Sequence, residues 1–271
     1  MSKLIAKSKS QVRTILGYMI SAFAVPVLCA LKVVLRLQVG YFSGSRLGHF
    51  APDVAWYLAT QEMGDVKRVQ KKSRRYFHVF FLESDVCNKF FEHMVRRSIF
   101  AVRVPMRLYN FLITAPALKK VWLHPARVTN GSRDPDGRVY RAAKILSFSS
   151  EEDLAGRRYL HEKGFDGQTK FVCLIVRDRE YLRRVYEERG QVRDTGYHDY
   201  RDSDIETYCA AAEYLADKGY VVFRMGKHME RPMRSDSQRV IDYAFSDERC
   251  DFLDIWLMAN CAFCISTGTG L

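Results

Sequence analysis

FVCLIV (171–176), DIETYCAAAEYLADKG (204–219) and YVVFRMG (220–226) decide the fold. FVCLIV is a continuous apolar run, as expected for a strand covered on both faces. The middle segment has a helical apolar set that includes Ala210, Ala211, Tyr214 and Leu215, and Gly219 suits its C-terminal cap. YVVFRMG then reads as a second strand. A strand, a helix and a strand in this order predict a parallel sheet with helices on both faces.

The pattern extends both ways. Downstream, 240–245 reads as a strand, 252–260 as a helix and CAFCIS (261–266) as a last strand. Upstream, 151–163 reads as a charged helix capped by Ser149 or Ser150. LQVGYF (37–42) reads as a strand running into a turn of small residues. Pro52 and Asp53 then open a helical pattern. YFHVFFL (76–82) reads as another strand, and 85–97 and 102–118 as helical. NGSRDPDGR (130–138) is a polar turn cluster. The expected class is therefore α/β, with doubly wound parallel sheets.

The chain has 271 residues, 48% hydrophobic and 27% charged. This composition excludes a disordered chain, a collagen-like chain and a polytopic membrane protein. The net charge of +12 is uneven: residues 1–150 carry 25 Lys+Arg and 8 Asp+Glu, residues 151–271 carry 18 and 23. A basic half points to an anionic partner. Nucleic acid is disfavoured. KRVQKKSRRYFHVFF (67–81) sets aromatics beside charge, but as one strand-like block rather than interleaved with it.

Lys3, Lys7, Lys9 and Arg13 precede ILGYMISAFAVPVLCAL (15–31), an uncharged run of 17 residues, and Lys32 and Arg36 follow it. A spanning helix needs about 20 residues. The run therefore reads either as a short anchor or as an interfacial helix with basic flanks. The expected location is the cytoplasmic face of a membrane. Seven cysteines, an odd count set mostly in apolar runs, argue for a reducing compartment. The pair Cys261 and Cys264 reads as part of a buried strand.

In an open parallel sheet, ligands bind beyond the C-terminal ends of the strands. Arg46, Gly48 and His49 follow the first strand, and Arg177 follows FVCLIV. Arg224 ends YVVFR, and Ser266, Thr267, Gly268, Thr269 and Gly270 follow CAFCI. Arginines are permanently charged bidentate donors, and a loop of small residues lets backbone N–H groups approach a phosphate. Together they predict a diphosphate pocket.

These segments resemble a GT-B-type glycosyltransferase, in which two Rossmann-like domains enclose a nucleotide-sugar. SRLGHFAPD (45–53) is similar to the acceptor-side loop of bacterial heptosyltransferases. ANCAFCISTGTGL (259–271) resembles the donor-side strand and phosphate loop of that superfamily. Residues 197–226 look closest to glycosyltransferases of bacterial surface-polysaccharide clusters. The resemblance runs over 38–271 and is strongest over 171–271.

Beyond the membrane-associating segment read at 1–36, it implies an acceptor-side domain at 37–165 and a donor-side domain at 166–271. It also implies transfer of a sugar from a nucleotide-diphosphate sugar to a surface glycan or lipid-linked acceptor. His49 would be the general base, since imidazole exchanges its proton near neutral pH. Arg46 and Gly48 would shape the acceptor loop. Arg177, Arg224 and residues 266–270 would hold the diphosphate, with no metal and no cofactor. The family pattern continues past the Thr-Gly-Thr-Gly loop, so the resemblance implies an incomplete donor-side domain. The alternative reading is a non-catalytic module bound to a membrane surface.

Overall fold

The computed structural model describes residues 37–63, 77–83, 85–103, 134, 137–142, 145–188, 190 and 196–267, and positions 15, 19, 22, 23, 26, 27 and 30. The chain is α/β, with two parallel sheets in two compact units, 1–147 and 148–270. Most of the expected anchor, 1–36, lies outside the described residues. Ile15, Met19, Phe23 and Val27 within it are helical and exposed. Among the described residues, no helix is long and apolar enough to cross a membrane.

In the first unit, β1 (Leu37–Phe42), β2 (Phe77–Leu82) and β3 (Ala101–Arg103) pair in parallel in the order β1-β2-β3. Helices α1 (Leu47–Glu62) and α2 (Lys89–Ser98) make the crossovers. Phe50, Val54 and Tyr57 are buried at helical spacing on α1. Phe42 stacks on Phe80 with centroids 4.2 Å apart, and the Tyr57 ring meets Phe80 edge-on at 4.5 Å.

Two expectations change in this unit. The helix starts at Leu47, so Pro52 lies inside it. Apolar Phe50 draws the preceding turn onto the sheet, and the helix forgoes the hydrogen bond that Pro52 cannot donate. Val102 and Arg103, expected as the start of a helix, extend the sheet with Ala101 instead, because β2 offers residues 101–103 a parallel ladder from Phe80 to Leu82. The rest of 102–118 lies outside the described residues. So do most of 130–138 and the basic run 67–76.

In the second unit, β4 (Phe171–Ile175), β5 (Val221–Arg224), β6 (Val240–Ile241) and β7 (Phe263–Ser266) are parallel in the order β6-β5-β4-β7. One face of the sheet packs on α3 (Ser150–Glu162) and α6 (Asp251–Asn260) through Tyr159, Leu160, Phe171, Phe223, Trp256 and Leu257. The other face packs on α5 (Cys209–Asp217) through Leu174, Val222 and Ala212. Helix α4 (Glu180–Glu188) follows β4.

Helix α3 belongs to this unit, although the sequence suggested a division after 165. Trp256 is the reason. Its indole N–H donates to Asp153 at 3.2 Å, and its ring lies where a Cβ on Gly156 would sit. Ser149 caps α3 in a full capping box with Glu152.

Helix α5 buries Ala212 and Ala216 and leaves Tyr214 61% exposed, against the expected apolar set. The small alanines let the helix lie close on the sheet, which turns the tyrosine outward. Gly219 takes a left-handed φ of 89°, as a residue just past a helix end requires. The expected strand 240–245 is two residues of β6 followed by a 3₁₀ turn, Tyr243–Phe245.

Candidate functional site

The first unit places its candidates around the C-terminal ends of β1 and β2. The loop after β1 is held by Glu83, just past β2. Its carboxylate accepts from the Ser45 backbone N–H at 2.6 Å and from the Ser43 hydroxyl at 3.5 Å. The Cys87 N–H donates to the Gly44 carbonyl at 2.8 Å. This stitching sets the start of α1, where Arg46 precedes the helix and Gly48 and His49 occupy its first turn. The His49 and Arg46 side chains are exposed.

One turn beyond His49 stands Asp53, a carboxyl that burial pushes up to about 6. Deeper in, the Tyr57 hydroxyl and His78 Nδ1 lie 2.8 Å apart. Burial raises the tyrosine to about 12 and lowers the histidine.

In the second unit, a cleft of about 250 Å³ opens beyond the C-terminal ends of β4 and β5. Five carboxylates, Asp178, Asp199, Asp202, Asp204 and Glu230, line it with Arg179, Arg224 and Arg231. Asp178 joins two of its walls, accepting from the Glu180 N–H at 3.0 Å and the Glu230 N–H at 2.9 Å. Arg179 pairs with Glu230 at 3.3 Å. A larger cleft, about 530 Å³, opens at the opposite end of the sheet, beside Phe171, Tyr220 and Phe263. The strand-end cleft is the better candidate, because loops at the C-terminal ends of parallel strands are the ones free to converge on a ligand.

Each predicted residue of this half has a definite place. Arg177 sits beside Asp202, Nε to Oδ1 3.3 Å, without hydrogen-bond alignment for that oxygen. The Arg177 backbone N–H donates to Thr267 Oγ1 at 2.9 Å, and the Thr267 N–H donates to the Ile175 carbonyl at 3.1 Å. The loops after β4 and β7 are thus tied together, which places Arg177 and Thr267 side by side. Ser266 is exposed at the end of β7. Gly268, Thr269 and Gly270 lie outside the described residues.

Arg224 is different: it is 1% exposed. Nη1 donates to Asp242 Oδ1 at 3.1 Å and Nη2 to the Arg231 carbonyl at 3.2 Å. Its guanidinium lies 5.4 Å from the Phe245 ring centroid. The second Asp242 oxygen accepts from the Met233 N–H at 2.6 Å. Arg224 therefore braces the 225–233 segment, and only its Nε is without a partner.

Asp202 is raised above the usual carboxylate range. Burial is the main cause; the Arg177 charge opposes it, and Asp199 and Asp178 add to it. Asp204 caps the 3₁₀ turn Ile205–Tyr208, its Oδ1 accepting from the Glu206 N–H at 3.1 Å. The His198 side chain lies outside the described residues.

The sequence reading missed the partners Glu83 and Asp242. Asp242 had a usable signal. An arginine ending an apolar strand, as in VVFR, requires a carboxylate if it is to be buried. Among the described residues, no group of three or more His, Cys, Asp or Glu could hold a metal ion. No family model, no curated protein and no solved structure matches this chain.

Proposed function

We propose that this chain is a GT-B-type glycosyltransferase that moves a sugar from a nucleotide-diphosphate sugar to a surface glycan or lipid-linked acceptor. The observation that best supports this reading is the tie between Arg177 and Thr267. It brings an arginine and a threonine hydroxyl of the small-residue loop to neighbouring parallel strand ends.

In this mechanism, the diphosphate takes the place of Asp202 beside the Arg177 guanidinium. The arginine carries the charge that develops as the sugar leaves. The Thr267 hydroxyl flanks the same oxygen atoms. Arg224 acts as a positioning residue, holding the Arg231 segment at the cleft. On the acceptor side, exposed His49 removes the proton of the attacking hydroxyl. Glu83 fixes the loop that presents it.

The test is thermal unfolding of the chain with UDP, GDP and their sugars, followed by a sugar-release assay. The reading requires a rise in Tm with at least one nucleoside diphosphate, abolished by Arg177→Ala. No shift with any of them overturns it.

A second reading, a module bound to an anionic membrane surface, draws on a separate observation. Ile15, Met19, Phe23 and Val27 are exposed at four-residue spacing, between basic flanks. Sedimentation with vesicles containing anionic lipid separates the readings. Binding that is indifferent to His49→Ala and to nucleotides belongs to the membrane reading alone.

A further inference from the structure

The cleft beyond the C-terminal ends of β4 and β5 has a size and a wall that together select a ligand chemistry. Its volume of about 250 Å³ lies just under the roughly 300–1,000 Å³ of sites for drug-sized ligands, so it holds a single ring rather than a whole nucleotide-sugar. Carboxylates outnumber arginines in its wall by five to three. One of those arginines, Arg224, has its charge matched by Asp242, which stands outside the lining. Arg179 pairs with Glu230, and Arg231 lies 3.7 Å from Asp204. The wall is therefore net negative, and it repels an anionic group that enters.

The wall also holds two buried polar atoms without a hydrogen-bond partner, Asp202 Oδ1 and Arg224 Nε. The Arg224 side chain is 1% exposed, and its two Nη atoms are committed to Asp242 and the Arg231 carbonyl. Buried polar atoms are rarely left unpaired, because each one costs its full desolvation. A carboxylate only accepts and a guanidinium only donates, so a ligand that completes both must donate and accept. An ammonium group only donates, and an ionised carboxylate only accepts. A hydroxyl does both. Carboxylates around a ring-sized space therefore call for an uncharged ring that carries several hydroxyls.

Asp202 sets this space against the diphosphate position. It lines the cleft on the β5 side of β4, and its Oδ1 lies 3.3 Å from Arg177 Nε. Thr267, tied to the Arg177 backbone, lies on the β7 side of β4.

We propose that this cleft is the subsite for the transferred sugar, and that the sugar is an uncharged polyhydroxyl ring rather than a uronic acid. The proposal rests on the nucleotide-sugar reading above. The diphosphate displaces Asp202 from Arg177, and Asp202 then accepts from a sugar hydroxyl. Asp199, exposed in the same wall, accepts from another. Arg224 Nε donates to a hydroxyl oxygen while the rest of the guanidinium keeps its brace.

The test is calorimetric titration of the full chain with UDP and GDP and with matched pairs of their sugars that differ only at C6: UDP-glucose and UDP-glucuronate, UDP-galactose and UDP-galacturonate, GDP-mannose and GDP-mannuronate. At least one neutral member should bind more tightly than its nucleoside diphosphate alone. Its uronate partner should bind about sixfold more weakly or worse, the effect of two like charges 4 Å apart in water. Asp199→Asn should narrow that gap. A uronate that binds as tightly as its neutral partner overturns the proposal, and so does a gap unchanged in Asp199→Asn. Neutral sugars that add nothing, together with weaker binding of 2′-deoxy-UDP than of UDP, assign the cleft to the ribose and overturn it as well. In these three cases the nucleotide still binds, so the nucleotide-sugar reading survives. No binding of any nucleoside diphosphate ends that reading and the proposal together.

Discussion

Replacing Asp242 by Asn separates a bracing role for Arg224 from a ligand-binding one. The Arg224 side chain is 1% exposed and its counter-charge is Asp242, 15% exposed. The substitution keeps the shape and removes the charge, so the guanidinium is left buried without compensation. Breaking such a pair from one side costs about 3–5 kcal/mol. That is a large share of the roughly 5–15 kcal/mol that holds an ordinary domain together. Met233 also loses a charged acceptor for its N–H, now bonded at 2.6 Å.

Removing both charges, as Arg224→Met with Asp242→Leu, should recover most of the loss, since an apolar pair of similar volume carries no desolvation penalty. The assay is urea unfolding followed by the fluorescence of buried Trp256, with Trp56 and Trp122 changed to Phe so that only the second unit reports. The expected coupling between the two sites is at least about 2 kcal/mol. A loss under about 1 kcal/mol in Asp242→Asn refutes the bracing role and returns Arg224 to the set of free phosphate ligands.

Other outcomes follow from single contacts. Gly156→Ala should lower the stability of the second unit by about 1–3 kcal/mol, read as a shift in urea midpoint, because its Cβ overlaps the Trp256 indole. Ser149→Ala removes the capping box of α3 and should cost about 1 kcal/mol in the same assay. Asp53 holds its proton up to about 6 when folded and to 3.8 otherwise. The stability it contributes is present below 3.8 and lost as pH rises through 6. Asp53→Asn should therefore stabilise the first unit at pH 7–8 by on the order of 2–3 kcal/mol, with the gain fading toward pH 4 in a Tm series. His78 has the opposite slope. Burial lowers it when folded, so the unfolded chain binds the proton first and stability falls as pH drops below 6.5. Loss of that acid slope in His78→Gln, measured by Tm against pH, checks the sign.

Much of the second unit was legible because its strands are short apolar runs between well-marked turns. FVCLIV and YVVFR needed no partner to be recognised. Its sheet edge was not legible. CAFCIS reads as a buried strand, yet Phe263, Cys264 and Ser266 are exposed, since burial depends on what packs against the strand and not on the strand itself. The first unit shows the same limit. Residues 101–103 have no strong pattern of their own and become a strand because β2 stands beside them. Of the candidate site, the neighbours Arg177 and Thr267 were found from strand-end positions alone. The different fates of Arg177 and Arg224 were not.

The sequence by itself determined the parallel α/β class, the ends of the central strands and the basic character of the N-terminal half. These follow from local periodicity and charge, which need no knowledge of distant residues. Only the tertiary structure decided which strand-end charges remain available. Arg224 and Asp242 are 18 residues apart in the chain, yet one neutralises the other inside the fold. Cys173 and Cys264 stand opposite each other only across the sheet. A side chain's chemistry depends on its partners and its burial, and both are set by chain segments brought together from far apart.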